Sequence, residues 1–213
     1  LGALMTTGNT ESTSIVTKVT AKHQLDSWKN KYTLATLFRE NEVTNDVGET
    51  NTEKTAQQFA VTAQGDYKFS DTSAAFIFGS YTDDEFGAFA QYTTVAGGYS
   101  FRAMAQSDFI LDMNIGPGYS IGKTQDDTTD EGFVVRASAD LEWTISKNAK
   151  FTQNVSVEAA DFNTRTTTES SLISSLNTSV QMKFGFKTLT NSDVADGVEK
   201  TDTETSATII VNF

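Results

Sequence analysis

Residues 133–145 read FVVRASADLEWTI, and apolar and polar side chains alternate along this stretch. Phe133, Val135 and Leu141 fall on one side of an extended chain, whereas Arg136 and Asp140 fall on the other. Successive side chains of a β-strand point to opposite faces, while a helix would scatter the same residues around its axis. The stretch therefore predicts a β-strand with one apolar face and one polar face.

The same alternation returns in segment after segment along the chain. The stretch Ala74–Tyr81 is apolar on both faces, which leaves its outward side open, and the segment 167–176 is short and rich in serine. We predict a single domain over residues 1–213 with twelve strands, at residues 1–8, 11–25, 28–42, 54–69, 73–84, 88–101, 107–122, 131–145, 149–160, 167–176, 179–191 and 201–213.

The connections between these segments alternate in length. The short ones are Asp26-Ser27, Ser70-Asp71-Thr72, Arg102–Gln106, Ser146-Lys147-Asn148 and Asn177-Thr178. The long ones are Val43–Glu53, Lys123–Asp130, Asp161–Thr166 and Ser192–Lys200, with Gly8–Thr10 and Glu85–Gly87 as shorter members. An up-and-down antiparallel transmembrane β-barrel with both termini periplasmic produces this alternation. Because lipid offers no partner to an open backbone edge, we expect the first and last strands to pair.

Composition argues against several other classes of protein. The net charge is −12, and clustered Lys and Arg for binding nucleic acid are missing. The chain has no cysteine and therefore no disulfide or thiolate site. It also lacks a run of about 18 apolar residues that could form a transmembrane helix. Leu1 reads as the middle of a strand, so we expect a leader and a few further residues to precede it.

A soluble β-sandwich is the main alternative, because its strands alternate in the same way. The predicted strands are commonly 12–15 residues long, whereas soluble strands average about 5–6 residues and a tilted membrane strand needs about 9–11. Aromatic residues also gather near the periplasmic ends, as an interfacial girdle would. They are Trp28, Tyr67, Phe69, Tyr99, Phe101, Trp143, Phe151 and Phe213. Both observations favour a barrel in the bacterial outer membrane.

Several short motifs occur in a fixed order along the chain. They are Gly8-Asn9-Thr10, Gly116-Pro117-Gly118-Tyr119, Phe151-Thr152-Gln153, and Val198–Thr203 leading to Val211-Asn212-Phe213. In these motifs the chain resembles the salt-induced outer-membrane protein family of Gram-negative bacteria, from near residue 1 to residue 213. The resemblance implies a barrel and an outer-membrane location. It brings no catalytic or binding residues, and the family name implies no more than a link to osmotic conditions.

The polar faces of the predicted strands carry charged residues that we expect to point into the barrel. They are Lys18, Lys22, Lys29, Lys31, Arg39, Asp66, Lys68, Asp112, Arg136, Asp140, Glu142, Lys150, Glu158, Lys183 and Lys187. Basic residues predominate in this set. About eight strands leave room only for side chains and about 16–18 leave a water channel, so twelve is intermediate. Two interpretations therefore stay open: a plug of inward ion pairs, or a narrow porin-like channel with a mild anion preference.

Acidic residues concentrate in the predicted outer loops. Asp126, Asp127, Asp130 and Glu131 could together hold Ca²⁺ or Mg²⁺ through oxygen ligands. Their spacing is not that of an EF-hand, and a solvated acidic rim is the alternative. The partners we expect are outer-membrane lipids and lipopolysaccharide, with divalent cations at the outer loops and no nucleic acid.

An enzyme is the less favoured interpretation. Outer-membrane hydrolases need a histidine beside a serine or carboxylate, and the one histidine, His23, falls near the periplasmic end of its strand and faces lipid or the interface. The chain has no G-x-S-x-G or H-E-x-x-H motif. We therefore predict no catalytic residues, no metal and no cofactor. A structural envelope component, a subunit of a larger surface assembly and a homo-oligomer remain open beside the channel.

Overall fold

The computed structural model describes residues 2–6, 12–44, 50–177 and 180–211. These residues form twelve β-strands: β1 Gly2–Thr6, β2 Ser12–Gln24, β3 Trp28–Thr44, β4 Thr50–Lys68, β5 Ser73–Asp84, β6 Gln91–Ala105, β7 Phe109–Lys123, β8 Thr129–Ser146, β9 Ala149–Ala160, β10 Thr164–Ser175, β11 Val180–Asn191 and β12 Thr201–Val211. The sheet runs in chain order from β1 to β12, and neighbouring strands pair antiparallel. The predicted all-β, up-and-down antiparallel fold is confirmed.

The sheet curls so that side chains from strands far apart in this order meet in its interior. Lys18 on β2 lies 2.6 Å from Glu169 on β10, and Lys31 on β3 lies 3.9 Å from Asp140 on β8. The guanidinium of Arg136 on β8 lies over the ring of Phe78 on β5. The inward face of the sheet therefore encloses a common space.

Large apolar side chains cover the outside of this curled sheet. Phe133 is 76% exposed, Ile77 61% and Val135 53%. A β-sandwich would hide such residues between its two sheets, so the sandwich alternative is wrong. The outward side of β5, which its sequence leaves open, is the one that carries Ile77, because Phe76 and Phe78 on the other face are buried.

The β3–β4 hairpin is longer than the sequence predicts. Its ladder continues to the pairs Val43–Asn51 and Thr44–Thr50, so most of the predicted loop Val43–Glu53 is strand. This part of the sequence is polar at most positions on both faces. Apolar alternation is needed only across the hydrocarbon band, so a hairpin that extends beyond the band loses the pattern while keeping the ladder.

Both ends of β6 also differ from the predicted segment 88–101. The strand begins at Gln91, because Ala88 and Phe89 turn inward and are buried. At the other end the register shifts between Arg102 and Met104, and the ladder then continues to Ala105. A bulge of this kind interrupts strict alternation, which is why the pattern wrongly predicts a turn over Arg102–Gln106.

Two further strands begin inside predicted loops. β8 starts at Thr129 and β10 at Thr164, so the loops Lys123–Asp130 and Asp161–Thr166 are shorter than predicted. The ladders that the structure describes join strands consecutive in the chain. The pairing of the first strand with the last, and the periplasmic position of both termini, stay predictions.

Candidate functional site in the barrel interior

One side of the interior is strongly basic. The side chains concerned are Lys18, Lys22, Lys29, Lys31, Arg39 and Lys68 on β2, β3 and β4, here called the basic wall. Lys29 and Lys31 face inward, as their contacts with Asp112 on β7 and Asp140 on β8 show. Lys22 is the direct cross-strand partner of Lys31, and residues directly opposite each other in an antiparallel pair share one face.

Ion pairs cross the interior from the basic wall to the facing strands. Lys18 lies 2.6 Å from Glu169, which also lies 3.8 Å from Lys183 on β11. Lys29 lies 3.7 Å from Asp112. All of these side chains keep between 29% and 49% of their surface exposed. Pairs as exposed as these contribute about 0–1 kcal/mol each, because water and salt screen them. Their exposure shows that this side of the interior is accessible to water.

Buried inward side chains of β5 to β9, here called the packed wall, line the opposite side of the interior; they include Phe76, Phe78, Asn114 and Ser138. At the centre of the packed wall Arg136 and Glu158 are buried, with Arg136 Nε 3.4 Å from Glu158 Oε1. Arg136 Nη1 donates to Asn114 Oδ1 at 2.9 Å, and the guanidinium carbon lies 3.7 Å from the centre of the Phe78 ring. The hydroxyl of Thr94 donates to Glu158 Oε2 at 2.9 Å. These contacts fill the interior from this side.

The remaining predicted inward residues lie in smaller local contacts. Lys150 pairs with Glu142 at 2.7 Å. Asp66 accepts hydrogen bonds from Gln64 Nε2 at 3.1 Å and from Ser100 Oγ at 2.9 Å. Each of these carboxylates is therefore already held by a neighbouring side chain.

Four predicted basic residues form no ion pair with a carboxylate among the described residues. Among the residues that the structure describes, no carboxylate oxygen lies within 4.0 Å of the charged group of Lys22 or Arg39. Lys187 is the cross-strand partner of Glu169 on one side and of Glu204 on the other. Lys68 Nζ donates to the backbone oxygen of Leu25 at 3.0 Å. The basic wall therefore keeps positive charge that its own side chains do not neutralise.

The predicted inward set omits two residues that join this network. Glu169 lies in the serine-rich segment. Leu172 is exposed on the outward face of this strand, and the alternation then puts Glu169 on the inward face. This is the one signal in the segment that could have predicted its side. Arg102 donates to both carboxylate oxygens of Asp112, from Nε at 2.7 Å and Nη2 at 3.0 Å. Arg102 continues the inward alternation of β6, but the bulge that follows it ends the regular pattern, so the residue falls in a predicted turn.

The connections β5–β6, β9–β10 and β11–β12 pack together at one end of the barrel. Ala88, Phe89 and Tyr92 form a buried apolar cluster, and Phe162, Val194 and Val198 are the partly buried residues that pack against it. Asn163 is buried beneath the cluster, and its Nδ2 donates to Asn191 Oδ1 at 2.9 Å. The cluster narrows this mouth of the barrel on the side of the packed wall.

The loop predicted to hold a cation forms a compact turn instead of an open ligand ring. Asp127 pairs with Lys123 at 2.7 Å, and Asp126 accepts hydrogen bonds from the Thr124 hydroxyl and the Thr128 N–H. Asp130 and Glu131 are consecutive residues of β8. Within the described ranges, no group of three or more His, Cys, Asp or Glu side chains is placed to hold a metal ion. Cation binding by this loop stays a prediction.

The predicted aromatic girdle lies at the end of the barrel where β2–β3, β4–β5, β6–β7 and β8–β9 are joined by short turns. Trp28 and Tyr67 make an edge-to-face contact with ring centres 5.3 Å apart, and Tyr67 contacts Phe69 at 5.8 Å. The rings of Tyr99 and Phe101 stack at 6.1 Å. Phe151 is the cross-strand partner of Trp143, and Phe213 lies outside the described residues. Contact with a membrane interface remains the proposed role of these rings.

His23 lies on β2 near the same end, opposite Asn30 on β3, and its side chain is exposed. Lys22 and Lys31, the neighbouring cross-strand pair, face inward, so the alternation along the strand puts His23 on the outward face.

Among the described residues, no helix is long and apolar enough to cross a bilayer.

The apolar outer face, the polar interior and the continuous antiparallel ladder define a bacterial outer-membrane β-barrel. The chain is similar over its whole length to the NanC porin, with 98% of that chain covered, a TM-score of 0.56 and 11% identity. It is also similar to the KdgM porin over 94% of this chain and 99% of that one, with a TM-score of 0.46 and 10% identity. These likenesses concern the fold.

The chain belongs to the family described as protein of unknown function, DUF481, whose model matches residues 1–213. It is 26% identical over 211 residues to the uncharacterized protein YdiY of Escherichia coli strain K12, covering 98% of this chain and 79% of that protein. The family resemblance drawn from the sequence motifs is thereby confirmed, as is the outer-membrane location.

Proposed function

We propose that the protein is a narrow passive channel of the outer membrane, with its water-filled path along the basic wall. The observation that carries the proposal is the contrast in burial between the lysines of the basic wall and the Arg136–Glu158 pair of the packed wall. Lys29 and Lys31 keep 49% and 46% of their side-chain surface exposed, whereas Arg136 keeps 7%. A solute would therefore pass beside β2, β3 and β4. The proposal assigns no catalytic step to the protein.

A structural envelope component is the second candidate, and the packed wall together with the apolar cluster of Ala88, Phe89 and Tyr92 favours it. Those groups occupy part of the bore and narrow one mouth. The two candidates differ in one physical property, since a channel conducts ions and a plugged barrel does not.

Single-channel recording on the folded protein in a planar bilayer tests the channel. The natural chain contains no cysteine, so a single introduced thiol can be modified alone. Thr20→Cys places that thiol at an exposed inward position of the basic wall, and the matched control Ser138→Cys places it in the packed wall. We expect a charged thiol reagent to change the current through the Thr20→Cys protein and to leave the Ser138→Cys current unchanged.

Absence of current from a barrel shown to be folded, together with no aqueous labelling of Thr20→Cys, would overturn the channel and favour the structural role. Labelling of both cysteines at equal rates would contradict the contrast between the two walls. Folding is checked separately by the β-sheet circular dichroism of each variant.

A further inference from the structure

We propose that Lys22, Lys29 and Lys31 form a binding station for a small oxyanion, such as the carboxylate or phosphate group of a solute. Lys22 and Lys31 are direct cross-strand partners on the inward face of β2 and β3. Like charges placed directly opposite each other destabilise an antiparallel pair. An anion held between the two ammonium groups removes that repulsion.

The third lysine lies within reach of the same position. Lys29 precedes Lys31 by two residues on β3, so both point to the interior, and the cross-strand partner of Lys29 on β2 is Gln24. Direct partners have Cβ atoms about 4.5–5.5 Å apart and diagonal ones about 7–8 Å, which the long side chain of lysine spans. Three flexible ammonium groups can therefore converge on one oxyanion.

Nearby carboxylates compensate these lysines only in part. Asp112, 3.7 Å from Lys29, is held by both hydrogen bonds from Arg102. Asp140, 3.9 Å from Lys31, accepts a hydrogen bond from Asn154 at 2.9 Å.

The carboxylate of Asp66 on β4, beside the station, also has hydrogen-bond partners of its own. Asp66 is the partner of Lys29 across the β3–β4 ladder, and it accepts from Gln64 and Ser100. Lys22 has no carboxylate oxygen within 4.0 Å in the part of the chain that the structure describes. The station therefore carries more positive charge than its surroundings neutralise, and its side chains are open to water.

The binding site itself depends only on this geometry, whereas its role as a selectivity station for anions rests on the proposed channel. Two measurements separate the two statements. One detects anion binding to the folded barrel, and the other detects ion selectivity of a current.

Thermal unfolding in detergent, with inorganic phosphate or chloride at equal ionic strength, tests the binding site. We expect phosphate to raise the melting temperature of the natural protein and to lose this effect in Lys22→Gln/Lys31→Gln. Lys150→Gln is the matched control, because it also removes an inward lysine, but one paired with Glu142 at 2.7 Å. We also expect Lys22→Gln alone to unfold at a higher temperature than the natural protein in chloride, since it removes the repulsion without an anion.

Equal phosphate shifts in the natural protein and in Lys22→Gln/Lys31→Gln would overturn the station. So would a lower melting temperature of Lys22→Gln in chloride, because the repulsion would then not exist.

The reversal potential across a potassium chloride gradient tests the selectivity role. We expect current through the natural protein to prefer chloride, the preference to fall several-fold in Lys22→Gln/Lys31→Gln, and Lys150→Gln to retain it. A current whose selectivity is the same in all three proteins overturns the selectivity role. Phosphate stabilisation without any current overturns the channel and leaves the binding site standing.

Discussion

The packed wall and the basic wall lie in one sheet and both present polar side chains to the interior, yet they keep very different amounts of water. The Arg136–Glu158 pair retains 7% and 10% of its side-chain surface, whereas Lys31 and Asp140 retain 46% and 45%. In the packed wall an arginine is enclosed by an aromatic ring, an amide and a carboxylate. In the basic wall lysines extend into a wet space.

This difference shows that alternation alone does not decide whether a barrel interior is open. The inward residues near Arg136 include Phe76, Phe78 and Ala96, which form an apolar cluster. The inward residues of β2 include Lys18, Thr20 and Lys22, all exposed. Apolar side chains on the inward face exclude water beside the charged pair, while threonine and lysine retain it.

The largest effect we expect comes from breaking the buried pair. Arg136→Met leaves the Glu158 carboxylate buried without its cation, which costs about 3–5 kcal/mol of folding free energy. Lys31→Met removes an exposed pair on the basic wall together with the repulsion from Lys22, so we expect stability to change by no more than about 1 kcal/mol. Urea unfolding in lipid vesicles, followed by tryptophan fluorescence, measures both variants.

The double variant Arg136→Met/Glu158→Gln is the control for this comparison. It removes the uncompensated charge and leaves an amide oxygen to accept from Thr94, so we expect it to recover part of the lost stability. Equal losses for Arg136→Met and Lys31→Met would show that the two walls do not differ in their energetics.

A smaller effect tests how tightly the packed wall is built. A Cβ atom at Gly116 on β7 would collide with the backbone of Gly97 and Gly98 on β6, whereas one at Gly79 on β5 would meet nothing within 4 Å. We expect Gly116→Ala to cost about 1–3 kcal/mol and Gly79→Ala to be neutral or slightly stabilising. The same urea titration measures both, and a neutral Gly116→Ala would mean that β6 and β7 can separate without cost.

The strands themselves could be predicted from the sequence because lipid and water impose opposite demands on alternate residues. Thus β5 and β9 have the predicted bounds 73–84 and 149–160. Most inward charges follow from the same alternation. The pairs across the interior do not, because the approach of Lys31 to Asp140 depends on how far the sheet curls. Arg102 is also in regular register, but the bulge directly after it makes the sequence pattern of β6 end at Phe101.

The smallest effect is expected outside both walls, in the turn between β7 and β8. The charged side chains of this turn, Asp126 and Asp127, are exposed to solvent. The Thr124 hydroxyl and then the Thr128 N–H donate to Asp126, and these hydrogen bonds hold the pKa of that carboxyl below its usual range. We expect Thr124→Val to raise the pKa of Asp126 towards its ordinary value of about 3.9, as measured by carboxyl-carbon NMR titration. Because the pKa is lowered in the folded protein, the contribution of the turn to stability is present above the unfolded-state pKa and is lost as pH falls through the folded-state pKa. An unchanged pKa of Asp126 in Thr124→Val would show that a water molecule replaces the Thr124 hydroxyl as hydrogen-bond donor to this exposed carboxylate, and it would contradict the prediction.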